Sequence, residues 1–439
     1  MADDDGRSRQ IVIAGGGIAG LTAALAFARR GFPVRLFERA ERPQEVGAGL
    51  QLSPNATGIL DRLGVLDRLR PVATMPDAIV LRDSFDLREI GRVALGASAA
   101  RRWKSPYLVL HRADLHGALW AAAQHEPEIE IVTGATVRDA AFHAHGLTVS
   151  IDHERRVIET PAKLLVVADG VWSANRRLAG MPDKSKFSGR IAETPAGLLV
   201  VADGVWSANC RLAGMPEKSA FSGRIAWRAT LRADAAAGAT ALLDPERVTV
   251  FLHPKAHLVA YPVRGGAAFN LAGFARGAAP DVWSSSGDAG QLQRAFAGAD
   301  ARLPALLEQA GHWTIWPIHM VPPGQSTVDR KGVAVIGDAA HAMTPFAAQG
   351  AAMAIEDAWM LATHVAAQPK ALAAALQRYE AERRPRIAAV ARRGRLNEFT
   401  WHAWGPAAWG RNLFLRWRGP ERLAADMNWL YGWTPPDSR

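Results

Sequence analysis

The chain has 439 residues, enough for two or three domains, and its 49% apolar and 21% charged side chains exclude a disordered polymer. No apolar run approaches the ~18 residues of a membrane span, and a single cysteine excludes a disulfide framework or a thiolate metal site. The net charge of +10 is carried mostly by arginines spread along the chain without a nucleic-acid-binding motif, so it reads as solvated faces and a field that draws in anions.

The first ten residues, MADDDGRSRQ, are acidic at the start and lack the basic segment of a signal peptide, which points to a cytoplasmic protein. The thirteen histidines have no ligand spacing such as HExxH, so no metal is expected. Next comes IVIAGGGIAGLTAALAFARRGFPVRLFER. Its pattern predicts a buried strand over Ile11 to Ala14, a helix over Ile18 to Arg30 and a second strand over Val34 to Phe37. Gly15, Gly17 and Gly20 form GxGxxG, which lets a pyrophosphate approach the backbone at a helix N-terminus. Glu38 follows where a carboxylate bonds a ribose hydroxyl. This is a dinucleotide site, for NAD or FAD.

From Glu159 to Ala192, and again from Glu193 to Ala226, the chain writes nearly the same 34 residues. The copies differ at Lys163/Gly197, Arg176/Cys210, Asp183/Glu217 and Lys186/Ala220. Each reads as an apolar strand, a turn, a short helix and a polar loop. Two copies are too few for a solenoid, so this is a duplication inside an older fold.

In HPKAHLVAYPVRGG, alternation puts His257, Val259 and Tyr261 on one face of a strand, while His253 precedes a proline and reads as a turn. These are either ordinary core residues or groups that handle a phenolic proton and a ring hydroxyl. A free phenol has a pKa near ~10 and a histidine near ~6.5, so an imidazole is the side chain suited to hold that proton at neutral pH. Farther on, GVAVIGDAAHAMTPFAAQGAAMAIEDA predicts a strand over Val333 to Ile336 ending in Gly337-Asp338, then a helix from about Gln349-Gly350. Asp338 either caps that connection or accepts bonds from sugar-like hydroxyls; the helix end at Gly350 and Ala351 suits a ligand with delocalised negative charge. The terminal WHAWGPAAWGRNLFLRWRGPERL mixes Trp with Arg. Gly and Pro interrupt any long amphipathic stripe, so it is expected to pack over the cofactor domain instead of lying on a membrane surface.

Taken in order, GxGxxG with Glu38, HRADL around Arg112, DGxxSxxR, and GDAAHxxxPxxxQGxxMAIEDA resemble the single-component flavin-dependent aromatic hydroxylases. GAGLQLSPNA, HLVAYPVR, YEAERRPR and WLYGW extend the likeness along almost the whole chain, closest to the salicylate hydroxylase and 3-hydroxybenzoate 6-hydroxylase subgroup. The resemblance implies an α/β fold: a Rossmann-like doubly wound FAD-binding domain interrupted by a mostly antiparallel β-sheet substrate domain, with a helical C-terminal region. It implies FAD held by Gly15, Gly17, Gly20, Glu38, Arg39, Arg112, Asp169 and Asp338, with Gly350 and Ala351 over the ring. His257 falls at the position of the base for the substrate phenol, with Tyr261 and Gln349 beside the substrate.

The implied reaction uses NADH or NADPH and O2 to hydroxylate a small hydroxylated aromatic acid through a flavin C4a-hydroperoxide, in a monomer or homodimer with no nucleic-acid partner. Alternatives are a hydroxylase of a larger or nitrogen-containing ring, and a flavin-binding protein inactivated by its duplication. Two positions depart from the pattern: Val167 or Val201 stands where a Gly usually precedes ADG, and Ala348 replaces a Gly common in the superfamily.

A parallel sheet is expected to offer one slot for LLVVAD. DGxxSxxR is complete in copy one as Asp169, Ser173 and Arg176, whereas Cys210 removes the phosphate-pairing Arg from copy two. Copy one is therefore assigned to the cofactor and the tail of copy two to a substrate-domain strand. The resulting divisions are an FAD domain over 1–182 with substrate-sheet strands near 76–106, an extruded segment over 183–216, a substrate domain over 217–325, the FAD domain's return over 326–398 and a terminal segment over 399–439.

Overall fold

The computed structural model describes residues 10–42, 48–143, 146–162, 164–167, 198–201, 220–234, 242–278, 285–287, 289–321, 328–329 and 333–435. A seven-stranded sheet runs in the order Val328–Asp329, Val333–Val335, Leu198–Val201, Leu164–Val167, Ile11–Ala14, Val34–Glu38 and Ile129–Thr133. Every pairing is parallel except that of Val328–Asp329 with Val333–Val335. Ile11–Ala14 is buried along its length, as a strand covered on both faces must be. The helix Ile18–Ala28 is almost wholly buried, and the helix Gly350–Ala367 packs against it.

The expectation of one strand slot and an extruded second copy is corrected here. Leu198–Val201 enters the sheet between Leu164–Val167 and Val333–Val335, parallel to both. Insertion pairs both rows of backbone N–H and C=O groups, which an extruded strand would leave open. The register is Leu164↔Leu198 through Val167↔Val201, so each residue lies beside its own copy. The remainder of both copies up to Ser219, including Asp169, Ser173, Arg176 and Cys210, lies outside the described residues.

An eight-stranded sheet follows the order Ser285–Gly287, Trp313–Met320, Ala220–Arg232, Ala268–Arg276, Ala256–Val263, Arg247–His253, Ala78–Asp83 and Glu89–Ala94. It is antiparallel apart from the parallel pairing of Arg247–His253 with Ala78–Asp83. One face, with Trp227, Phe251, Leu258 and Leu271, packs on Leu292, Leu303 and Leu306 from the helices Gly290–Ala295 and Arg302–Gln309. The opposite face, with Ala226, Val259, Tyr261 and Phe274, meets Phe346 and Met353, which lie just before and at the start of the helix Gly350–Ala367. Strand alternation alone assigns these two sets. His257 and Tyr261 both lie on the second face.

The C-terminal segment departs from expectation. The helix Gly405–Arg418 lies on the edge strand Glu89–Ala94 of the eight-stranded sheet, not over the parallel sheet. Leu415 is the reason: its Cβ stands 3.1 Å from where a side chain on Gly91 would begin, while Trp409 and Trp417 point outward. No described helix is long and apolar enough to cross a membrane.

Candidate active site

Two uncapped helix N-termini lie close together, since Gly337 stands beside Ala19 of one helix and Ala354 of the other. At the first, Gly17 precedes Ile18–Ala28 with no side-chain cap and nothing within 4 Å of where a Cβ would be. The Gly15 N–H donates to Phe37 O at 2.7 Å, tying the turn to the next strand, and Gly20 is buried inside the helix. Glu38 ends that next strand and accepts from Gly16 N at 2.7 Å and Ala40 N at 2.8 Å. A carboxylate has about four acceptor positions, so a ribose hydroxyl still finds a partner there. Arg39 is exposed. His116 adds a contact the sequence did not suggest, with Nε2 2.7 Å from Gly16 O.

The second N-terminus is Gly350–Ala367, again without a side-chain cap. Gly350 and Ala351 open it, and Asp338 Oδ1 lies 3.7 Å from where a Cβ on Gly350 would be. The chain reaches this point through Gly337, whose φ of 65° and ψ of −146° belong to glycine, and through Ala348 at φ 51° and ψ 37°. The alanine thus holds the left-handed conformation that a glycine at the same place would adopt freely, at about 1 kcal/mol.

Gln349 is buried and held at both ends: Nε2 donates to Ser53 Oγ at 2.8 Å, and Oε1 accepts from Asn55 Nδ2 at 3.2 Å, which leaves one acceptor position on the oxygen. Asn55 also donates to Glu356 Oε1 at 2.7 Å. Glu356 and Asp357 are wholly buried and are held by Arg383, whose Nε donates to Asp357 at 2.7 Å, and by Arg386. Burial pushes the Asp357 carboxyl up, but His341, Arg383 and the Gly337 N–H outweigh it and hold it at about 2. This network, which sequence reasoning missed, locks the Gly337 turn and the Gln349 amide to the long helix Leu372–Trp401.

The sheet face supplies the other half. Cross-strand register sets Tyr261 beside Asn270, and His257 beside Phe274, which in turn pairs with Ala226. Gly49 crosses over this face: its N–H donates to Asn270 Oδ1 at 2.7 Å, and a Cβ there would stand 2.5 Å from Asn270 and 2.7 Å from the Tyr261 ring. No other residue fits. Tyr261 is buried, and burial drives its hydroxyl far up, opposed by the Arg228 guanidinium. Arg228 is a second omission. Burial lowers its pKa, and it sits within electrostatic reach of Tyr261, Arg112 and Asp338. Its signal was legible, since Arg228 shares the inward face of its strand with Ala226.

His257 is fully buried. It stacks on Phe274 at 4.7 Å and meets Phe346 and Trp401 edge-on at 5.1 and 5.0 Å. Its Nδ1 lies 3.1 Å from His402 Nε2, while its Nε2 is buried with no hydrogen-bond partner among the described residues. Burial, then the neighbouring His402 and Arg224, lowers its pKa well below the usual value, so the ring is neutral at pH 7. His253 ends the strand Arg247–His253, and its Nδ1 accepts from Lys255 N across the turn. Arg112 begins the helix Arg112–Gln124, beside a cleft of about 780 Å³ lined by His111, Asp114, Thr230 and Arg264. The site therefore gathers Arg112, Asp338, Gly350, Arg228 and Tyr261 at one end and His257 with Phe346 at the other. Among the described residues, no group of three or more His, Cys, Asp or Glu side chains is arranged to hold a metal ion.

Comparison with known proteins bears on the family and the fold. A family model described as FAD binding domain matches residues 8–194 and 184–394, two passages that overlap where copy one gives way to copy two. The chain is 30% identical over 426 residues to a 3-hydroxybenzoate 6-hydroxylase of Polaromonas naphthalenivorans (strain CJ2), covering 96% of each. It is 33% identical over 435 residues to a 3-amino-4-hydroxybenzoate 2-monooxygenase of Streptomyces platensis, again covering 96% of each. A solved salicylate hydroxylase substrate complex superposes with a TM-score of 0.71 at 24% identity, covering 97% of this chain and 95% of that one, which speaks to the fold. The chain belongs to the FAD binding domain family, among the FAD-dependent aromatic hydroxylases.

Proposed function

We propose that the protein is a monooxygenase that uses FAD, NADH or NADPH, and O2 to hydroxylate a small hydroxylated aromatic acid of the salicylate or 3-hydroxybenzoate type. The observation that carries this reading is the buried, unpartnered Nε2 of His257 on an aromatic-walled face. A buried acceptor without a partner costs about 1–3 kcal/mol, and a phenolic hydroxyl would relieve that cost. The residues fit FAD: two uncapped helix ends supply free N–H donors, and no Cβ crowds Gly17. Gly15, Gly17 and Gly20 would hold the pyrophosphate, Glu38 the ribose, Arg112 and Asp338 the linking chain, and Gly350 and Ala351 the ring. Asp169 joins them if copy one keeps the cofactor role; Arg39 would guard the outer edge. Bound FAD, once reduced, supplies the activated oxygen.

This chain's own groups do the rest. His257 Nε2 takes the phenolic proton and leaves an electron-rich ring; a neutral imidazole is the form that can accept it. Tyr261 and Gln349 orient the substrate. Arg228, a half-buried cation whose pKa is lowered by burial, pairs with its carboxylate. Phe274, Phe346 and Trp401 keep water away from the reacting carbon.

The purified protein should be yellow, and one of salicylate, 3-hydroxybenzoate or a hydroxynicotinate should accelerate NADH or NADPH oxidation and yield a hydroxylated product by mass spectrometry. A colourless protein that takes up no flavin on reconstitution rules the reading out. A yellow one that no member of this panel accelerates favours the inactivated flavin binder.

A further inference from the structure

Two imidazoles meet end to end behind the candidate substrate face. His402 caps the C-terminus of the helix Leu372–Trp401 and is half-buried, whereas His257 is wholly interior, so the pair runs from the inside toward the surface. Between the rings His257 Nδ1 and His402 Nε2 stand 3.1 Å apart. The outer nitrogens, His257 Nε2 and His402 Nδ1, are both buried and have no hydrogen-bond partner among the described residues.

Proton counting fixes the tautomers. A single hydrogen lies between the rings. For His257 to accept at Nε2, its hydrogen must sit on Nδ1 and point at His402 Nε2. His402 then carries its own hydrogen on Nδ1. We propose that His402 is the positioning and proton-accepting partner of His257, so that the two imidazoles form a relay between the substrate hydroxyl and the surface. The proposal rests on the reading of His257 as the substrate base. The phenolic O–H bond breaks and its proton goes to His257 Nε2, His257 Nδ1–H passes to His402 Nε2, and His402 Nδ1–H passes to a solvent water that enters beside the half-buried His402 ring and carries the proton away as hydronium. One proton enters, one leaves, and the pair ends neutral with both tautomers inverted. The reverse passage returns a proton to the product oxygen and restores the starting tautomers.

The surroundings favour passage over storage. Burial is the main reason both rings resist a lasting charge, and His402 is pushed down to about 4. Arg224 on the strand Ala220–Arg232 and Arg276 on Ala268–Arg276 face the pair with like charge, and His253 lies beyond them. Glu398, one turn earlier on the helix of His402, is engaged by Arg224 at 2.6 Å and so does not hold a cation on the imidazoles. The helix C-terminus at His402 offsets part of the cost of the transient positive charge.

His402→Gln keeps an acceptor for His257 Nδ1–H but cannot pass a proton on. When the holoenzyme is mixed with 3-hydroxybenzoate in lightly buffered solution with a pH indicator, proton release should slow roughly ten-fold or more in this variant. FAD retention and flavin reduction by NADH should match the parent. Added imidazole should restore release in His402→Ala and not in His402→Gln, whose side chain fills the space. Parent-speed release in His402→Gln overturns the relay. His257→Ala separates the two readings, since parent-speed release there removes the base itself. A ligand-free measurement stands apart from folding of the variants and choice of acid. Nitrogen-15 NMR of histidine-labelled holoenzyme should find His257 and His402 both neutral with hydrogen on Nδ1, and hydrogen on His257 Nε2 would refute the proposal.

Discussion

The helix ends at Gly17 and Gly350 and the sheet face at His257 and Tyr261 would, in the proposed reading, hold their ligands by opposite means. The first region offers backbone: two uncapped N-termini, a carboxylate at Glu38, and room where side chains are missing. The second offers side chains fixed by register, with His257, Tyr261 and Arg228 on one face of an antiparallel sheet. A backbone cradle reads shape and charge and is indifferent to most substitutions that leave it open. A side-chain face depends on single atoms, here a single nitrogen. Changes on the sheet face should therefore strike turnover and leave flavin in place, whereas changes that loosen the scaffold under the helix ends should strike both.

The largest effect expected is on the sheet face. His257→Ala should slow ring hydroxylation by roughly 10²–10⁴-fold with FAD still bound, and hydrogen peroxide formed per NADH should rise. Unchanged rate and coupling would make the histidine structural and erase the contrast. Next is the scaffold of the second helix end. Arg383→Ala leaves Glu356 and Asp357 buried without their partner and should cost about 3–5 kcal/mol, read as a large fall in Tm together with flavin loss. Gly49→Ala puts a methyl group into Asn270 and Tyr261 and should cost about 1–3 kcal/mol, lowering Tm and weakening aromatic-acid binding more than FAD binding.

The smallest effect is in pH. The folded pKa of His402 is lowered from 6.5 to about 4, so the unfolded chain binds the extra proton first as pH falls. The stability contributed by the neutral ring is complete above pH 6.5 and is lost on the way down to about 4. It amounts to about 1–3 kcal/mol after allowing for the part-exposed ring. Urea midpoints measured across that window should slope less in His402→Gln than in the parent.

What the sequence made legible follows the same division. Ile11–Ala14, Gly17 at the helix start and Glu38 at the strand end came from local pattern, because strand, turn and helix signals sit within one short stretch of chain. The common face of His257 and Tyr261 came from alternation. Arg228 was within reach of the same alternation but was passed over, and His402 did not emerge, since its meaning arises from a contact with a residue far away in the chain. The Glu356–Asp357–Arg383 cluster was hidden for a related reason: charged residues at helical spacing read as a solvated face until the second helix covers them. The fate of the duplication was misjudged because a parallel sheet has no fixed width. A strand of the right length and direction is accommodated by widening.

That widening has a consequence for how the chain finds its fold. Leu164–Val167 and Leu198–Val201 carry the same four residues, lie side by side and point the same way. Exchanging them leaves the same residue type at each of the four paired positions. The folding chain thus faces two threadings of one architecture, separated in energy by their connecting segments alone. Partition between them is a kinetic matter, decided by which copy docks first on Ile11–Ala14. Synthesis from the ribosome offers copy one before copy two exists, whereas refolding from denaturant offers both at once.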